Sequence, residues 1–218
     1  MKIVLISDTH GLHSKMTHPM PEGDVLIHAG DFTNVGSLPD VARFDQWMGS
    51  LDYKHKIVIA GNHERGWDKT GRSLSNNLSN AHYLEDSSIN IDGVNFYGSP
   101  WTPTFGWDWA FNVDRGDAIR GKWDMIPDAG LVDVLITHGP PKGIRDQSVP
   151  PNSECVGCDD LFHQVMISQP KVHVFGHIHG GYGKTQFGEG TIFVNAAICD
   201  EDYRPVNAPI VVEFKGTK

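Results

Sequence analysis

Five short runs of β-branched and other apolar residues in this chain are each followed, within a few positions, by glycine beside Asp, Asn or His. The runs are Ile3–Ser7, Val25–His28, Ile57–Ala60, Val132–Thr137 and Val172–Phe175. Runs of this length and composition read as strands buried on both faces. After them come Asp8-Thr-His10, Gly30-Asp31, Gly61-Asn-His-Glu64, His138-Gly-Pro-Pro141 and Gly176-His-Ile-His-Gly-Gly181. Polar donors just past the carboxyl ends of several strands mark the edge at which open α/β sheets bind ligands. Glycine lets the backbone turn tightly there, so that short side chains converge.

The intervening sequence supplies helices. Ser37–Leu51 opens on a capping-box-like Ser-Leu-Pro-Asp and places Val41, Phe44, Trp47, Met48 and Leu51 on one face. Cys158–Ser168 reads as a second helix, with Leu161, Phe162, Val165 and Met166 inward and Pro170 just beyond its end. Ile89–Gly98, Tyr182–Gln186, Thr191–Ala196 and Ile210–Phe214 read as hairpin and meander strands. The mixture predicts sheets covered by helices and argues against an all-parallel barrel. No repeat, linker or low-complexity tract divides residues 1–218, so one α/β domain is expected.

Composition narrows the partners. Eighteen Lys plus Arg against 27 Asp plus Glu leave a formal charge of −9, which disfavours binding to duplex nucleic acid. No apolar run approaches the roughly 18 residues of a membrane span, and Ile3–Ile6 is too short for a signal-peptide core. Three cysteines cannot all pair within the chain, which points to a reducing, cytoplasmic setting. Cys155 and Cys158 form a lone C-x-x-C without the second ligand pair that a structural zinc needs, so Cys158 is expected to pack at a helix start.

Histidine is the unusual residue, with 12 in the chain. The donors after the strands are Asp8, His10, Asp31, Asn62, His138, His177 and His179. Carboxylate, imidazole and carboxamide together suit borderline divalent ions such as Mn, Fe, Zn, Co or Ni. Seven donors exceed one tetrahedral site and fit two ions if a carboxylate bridges them. Two ions about 3.5–4 Å apart form the clamp used for in-line displacement at phosphorus.

The ordered blocks D-x-H, G-D, G-N-H-E, H and G-H-x-H, spanning Asp8 to His179, resemble the calcineurin-like metallophosphoesterase superfamily. Gly30-Asp-Phe-Thr33, Gly98-Ser-Pro-Trp101, Trp109-Ala-Phe-Asn112, Thr137–Pro141 and Asn195-Ala-Ala-Ile-Cys199 resemble its metallophosphoesterase-domain-containing group, which is itself similar to cyclic-nucleotide phosphodiesterases of class III. The resemblance implies a four-layer αββα sandwich of two mixed sheets, with a dimetal site at the strand ends. It implies that Asp8, His10 and His179 bind one ion, that Asn62, His138 and His177 bind the other, and that Asp31 bridges. It further implies hydrolysis of phosphodiesters, cyclic nucleotides among them, by in-line attack of a bridging hydroxide, with manganese the first choice of metal. His63 would then stabilise charge beside phosphorus and protonate the leaving oxygen. Some members carry an acid shortly after the bridging aspartate to orient that histidine. Here Phe32, Thr33, Asn34 and Val35 follow, so the partner is missing or comes from elsewhere.

The remaining residues divide more simply. His28 and His173 lie within strands and read as core. His13, His18, His55, His82 and His163 read as surface or packing residues. Arg65 is either a solvated loop residue or a contact for a phosphate oxygen. Phe96–Phe111 holds seven aromatics broken by Gly and Pro, partly core and partly a rim for stacking a base, with Asn112 beside it as a possible substrate contact. A phosphomonoesterase on the same scaffold and a non-catalytic, partner-binding scaffold are the alternatives. The uneroded donor set argues against the second, and a homo-oligomer is compatible with either.

Overall fold

The computed structural model describes residues 1–70, 73–148 and 153–214. The first half runs β1 (Lys2–Ile6), β2 (Val25–Ala29), α1 (Leu38–Ser50), β3 (His55–Ile59), β4 (His82–Tyr83), β5 (Ser87–Ile91) and β6 (Val94–Ser99). It continues through β7 (Thr102–Pro103), β8 (Asn112–Val113), α2 (Asp117–Trp123), β9 (Val134–Thr137), α3 (Asp159–Ser168), β10 (Val172–Phe175), β11 (Gly183–Gln186), β12 (Ile192–Asn195) and β13 (Ile210–Glu213).

Two mixed sheets result. One has the order β13-β1-β2-β3-β4, the other β11-β12-β10-β9-β6-β5, and β7 and β8 pair separately. In the first sheet β1, β2 and β3 are parallel, and β13 adds antiparallel to β1. In the second, β6, β9, β10 and β12 are parallel. The β5–β6 hairpin turns at Asp92-Gly93, both at positive φ (50° and 83°), as a tight hairpin turn requires.

The period-2 alternation within the strands assigns the layers. Ile3 and Leu5 of β1, with Val25, Ile27, Ile57 and Ile59, face Phe96, Val134, Ile136, Val172, Val174 and Val194 of the other sheet. The intervening Val4, Ile6, Leu26 and Val58 face α1 through Val41, Phe44 and Met48. Tyr97, Leu135, Phe175 and Phe193 face α2 and α3 through Ile119, Trp123, Leu161 and Val165. The order is therefore helix, sheet, sheet, helix, as the resemblance implied. Ser37 caps α1, its Oγ accepting from the Asp40 amide at 3.3 Å. Cys158 is the N-cap residue of α3, buried, with Trp123 Nε1 donating to its Sγ at 3.3 Å.

Two readings of the sequence need correction. Helix α2 is not evident in the sequence, because Gly121 dilutes a seven-residue helical pattern, capped by Gly116, that only Ile119 and Trp123 carry into the core. Met166 faces outward, 54% exposed, whereas Gln164 is buried and donates to the Ile126 carbonyl at 3.1 Å. The carbonyl after α2 needs a donor, so α3 turns Gln164 and Ser168 inward beside Leu161 and Val165. Leu161→Ala is accordingly expected to cost about 2–5 kcal/mol, and Met166→Ala to stay within about 0.5 kcal/mol of the parent. Urea unfolding with a common m-value checks both; equal losses would put Met166 back in the core.

Candidate metal centre

Both parallel blocks run in the same direction and meet at one edge, where Ser7 and Ala197 form a parallel bridge and the Ile198 amide donates to the Ser7 carbonyl at 2.8 Å. The donors lie one to four residues past the strand ends, so the sheets deliver them to a single place. The turns are sharp. Asp8, His10, Asp31 and His177 all hold left-handed backbone, with φ of 51°, 46°, 55° and 66°. Such conformations in residues other than glycine collect at functional sites, where surrounding structure over-determines them. Two glycines make the approach possible. A Cβ on Gly176 would lie 1.9 Å from Asp8 Oδ2, and one on Gly61 would lie 2.3 Å from Asp31 Oδ1.

Three groups of potential ligand atoms form there, each with its atoms within 4.8 Å of one another: Asp8, His10 and His179; Asp31, His138 and His177; and His10, Asp31 and His63. His179 Nε2 is 3.2 Å from His10 Nε2 and 3.6 Å from Asp8 Oδ1. His138 Nε2 is 3.3 Å from Asp31 Oδ2 and 2.9 Å from Asn62 Oδ1. All seven residues that follow the strands are thus in one cluster, with His63 Nε2 4.0 Å from Asp31 Oδ2.

Backbone carbonyls set the rings. His138 Nδ1 donates to the Ala29 carbonyl at 2.9 Å, and His179 Nδ1 to the Asp200 carbonyl at 2.8 Å. With its proton on Nδ1, a neutral His138 turns the Nε2 lone pair onto oxygen lone pairs of Asp31 and Asn62. A second ring proton or a cation among the three atoms resolves that contact. Donor set and geometry therefore both fit divalent ions.

The electrostatics follow from two fully buried carboxylates. Burial would raise the Asp8 carboxyl, but the His179 hydrogen bond and the His138 charge hold it well below the usual range. Burial acts likewise on Asp31, and His138 again more than offsets it. Burial would lower His138, yet Asp31 and Asp8 push it up to about 9. Burial takes His10 down to about 4 and His177 to about 3, so both rings are neutral near pH 7.

Further residues build the site, two of them within the sequence motifs but without a role assigned there. Glu64, fully buried, accepts from the amides of Gly61 (2.7 Å), Asp31 (3.0 Å) and Thr33 (2.9 Å) and from Thr33 Oγ1 (2.9 Å), tying the loops after β2 and β3 together. Burial, then Asp31, raises its carboxyl to about 8. Asn195 Nδ2 donates to the Ile178 carbonyl at 2.8 Å and holds the loop between His177 and His179. The partner of His63 is Asn34, whose carbonyl accepts from Nδ1 at 2.7 Å. A backbone oxygen from the segment after Asp31 thus stands where an acidic side chain was sought. Only its proximity in sequence could have suggested it.

The mouth is aromatic. Trp109 lies 4.8 Å from His63 and stacks on Phe105 at 5.9 Å; Phe105 lies 4.8 Å from His177. Arg65 is exposed, with its guanidinium 4.3 Å above Trp109. Tyr203 lies 4.7 Å from His10 and 5.2 Å from His179. Trp101 is not at the rim. It is half-buried against Phe111, donates to Asp86 at 2.8 Å and lies under Lys122. Asn112 uses its side chain inside the loop, donating to Thr102 Oγ1 (2.8 Å) and the Ala110 carbonyl and accepting from the Phe105 amide. His28 and His173 are buried and share hydrogen bonds with Thr9 and Thr137. None of the potential ligand groups among the described residues includes a cysteine.

A model of the calcineurin-like phosphoesterase family matches residues 1–181. The chain is 44% identical to metallophosphoesterase domain-containing protein 1 of Homo sapiens over 98% of its own length and 71% of the relative's. A UPF0046 protein of Caenorhabditis elegans is 40% identical over 98% and 81%. Among solved structures, the phosphopantetheinyl hydrolase of Mycobacterium tuberculosis shares the fold, with a TM-score of 0.60 at 14% identity over 93% of this chain and 90% of that one. The matched stretch carries every donor that the two sheets bring to their common edge, and the chain belongs to the calcineurin-like phosphoesterase family.

Proposed function

We propose that the protein is a dimetal phosphodiesterase acting on small phosphodiesters, cyclic nucleotides among them. The observation that carries this reading is the pair of His/Asp groups on either side of Asp31, with His63 within 4.0 Å of the same carboxylate. In this reading Asp8, His10 and His179 hold one ion, Asn62, His138 and His177 hold the other, and Asp31 bridges, with manganese the preferred metal. Two such ions polarise a phosphoryl group and make water nucleophilic at neutral pH.

The chain's own residues do the rest. Because Asn34 accepts the Nδ1 proton, His63 presents Nε2 to the cluster; as the imidazolium, with a second proton on Nε2, it gives that proton to the departing oxygen and is left neutral with Nδ1–H still on Asn34. The amide of His63 donates to Asp31 Oδ1 at 2.8 Å, so the proton donor and the bridging carboxylate move as one unit. Trp109, with Arg65 on its outer face, offers a platform for a base. The preference for diesters rests on that aromatic rim, on the similarity to the metallophosphoesterase-domain-containing group and on charge. A diester carries one negative charge, a monoester close to two, and a chain at −9 repels the second more, within the roughly 8–10 Å of salt screening. Asn112 shapes the rim from within and is not needed as a substrate contact.

Three outcomes test this. The purified protein should bind two divalent ions and lose hydrolysis in chelator, with Mn²⁺ restoring it; Asp31→Ala should lose most of the bound metal. Elemental analysis that finds full activity in metal-free protein would sink the mechanism. His63→Ala should keep its metal and lose roughly 10²–10⁴ in turnover, less with good leaving groups. Loss of metal in that variant would instead make His63 a ligand with His10 and Asp31. Across a panel, kcat/KM should favour diesters over monoesters, and Trp109→Ala should weaken nucleotide hydrolysis by about 1–3 kcal/mol more than that of a diester without a base. A monoester preference would move the assignment to a phosphatase.

A further inference from the structure

The segment after β12 reaches back over the metal cluster outside residues 1–181, the stretch that carries the family match. Its anchor is Asp200. The Asp200 carbonyl accepts from both His179 Nδ1 (2.8 Å) and the Tyr203 amide (2.9 Å). Its carboxylate accepts from the amides of Asp202 (3.0 Å) and Arg204 (2.9 Å) and from Arg204 Nε (2.8 Å). Tyr203 is thereby held at φ 58°, a backbone conformation rare for a bulky aromatic.

The result is a large ring packed on histidines instead of on the core. Tyr203 lies 4.7 Å from His10, 5.2 Å from His179 and 6.2 Å from His63, and it remains 46% exposed. Trp109 touches His63 directly at 4.8 Å and is linked, through Phe105, to His177, whereas Tyr203 is on His10 and His179. His63 is the one ring in the cluster that both aromatics touch. An alcohol leaving toward His63 therefore meets a tyrosine that is 46% exposed and a half-buried tryptophan, the two rings in contact with His63.

We infer that Tyr203 and Trp109 are the two walls of a slot that holds a planar ring on the leaving alcohol, which makes the substrates phosphodiesters whose leaving group carries an aromatic ring. This rests on the reading of His63 as the proton donor. Two flat walls favour a planar ring over a saturated group of equal size, because stacked rings gain contact and quadrupole complementarity together. The bracket at Asp200 prepays the ordering of Tyr203, so the ring is in place before the substrate arrives.

The test compares methyl phenyl phosphate with methyl trifluoroethyl phosphate, two diesters that differ only in the leaving alcohol. It is paired with calorimetric binding of their analogues with methylene in place of the leaving oxygen, methyl benzylphosphonate and methyl trifluoropropylphosphonate. The parent should favour the phenyl member in both measurements. Tyr203→Leu, with its metal content confirmed, should cut the phenyl-to-trifluoroethyl ratio of kcat/KM and the corresponding affinity ratio by roughly 5- to 100-fold. Tyr203→Phe should keep both ratios, and Trp109→Leu should lower them as Tyr203→Leu does, which keeps the test decisive if one variant fails to fold. Unchanged ratios in Tyr203→Leu and Trp109→Leu overturn the slot while leaving the metal mechanism standing. Loss of the ratios in Tyr203→Phe overturns it in favour of a hydroxyl contact. A parent that retains two ions and hydrolyses neither diester overturns the underlying reading, and the slot with it.

Discussion

Two aspartates with no solvent exposure to speak of, Asp8 at 0% and Asp31 at 2%, are the constraint around which this molecule is built. An isolated carboxylate cannot be buried without several kcal/mol of cost. Everything near these two compensates for that. The His177 amide donates to both oxygens of Asp8 at 3.1 and 2.9 Å, and the His63 amide donates to Asp31. Five histidines crowd around them. The glycines at 61 and 176 are there because any side chain would occupy the space of the carboxylate oxygens. A divalent ion is the most compact way to answer two buried negative charges, so the fold's own electrostatics and the family's chemistry point the same way.

Glu64 is a third buried acid, and its setting is different. Among the described residues it forms no ion pair with a basic side chain; it accepts from three amides and a hydroxyl. Those donors suit the charged form, while burial and Asp31 favour the protonated one and prevail, raising it to about 8. Its service is mechanical. One side chain fixes the start of the loop that carries Asn62 and His63 and the loop that carries Asp31 and Asn34. The His63–Asn34 and His63–Asp31 contacts are consequences of that tie.

The site has a rigid floor and a more individual rim. The floor is made of residues one to four positions past parallel strands, and their positions follow from strand register. The rim comes from the β7–β8 loop, with Phe105 and Trp109, and from the Asp200–Arg204 turn, with Tyr203. Loops of this kind vary at little cost to the sheets beneath them. In the proposed function chemistry and specificity are therefore separable: the phosphoryl group would meet the floor, and whatever it is attached to would meet the rim.

The five buried strands, the capped helix α1 and the donors after each strand were legible in the sequence, because each is written in local terms. Apolar runs, a Ser-Leu-Pro-Asp cap and Gly beside Asp or His owe nothing to distant residues. The helix–sheet–sheet–helix order followed from resemblance and was then read directly in the alternating side chains of β1, β2 and β9. The same local reading failed where two segments had to be placed against each other. Met166 faces out because the Ile126 carbonyl claims Gln164. Trp101 is a packing residue and Trp109 a rim residue, although both stand in one aromatic stretch, because Asp86 and Lys122 claim the first and His63 the second. Asn34 orients His63 through a carbonyl, a group every residue has and no sequence can flag. Tyr203 reaches His10 across 193 positions of chain only because β12 runs parallel to β10 and its extension pairs with that of β1. Composition and local pattern determined which atoms this protein offers a metal; the order of strands in two sheets, set by long-range packing, decided which rings surround them.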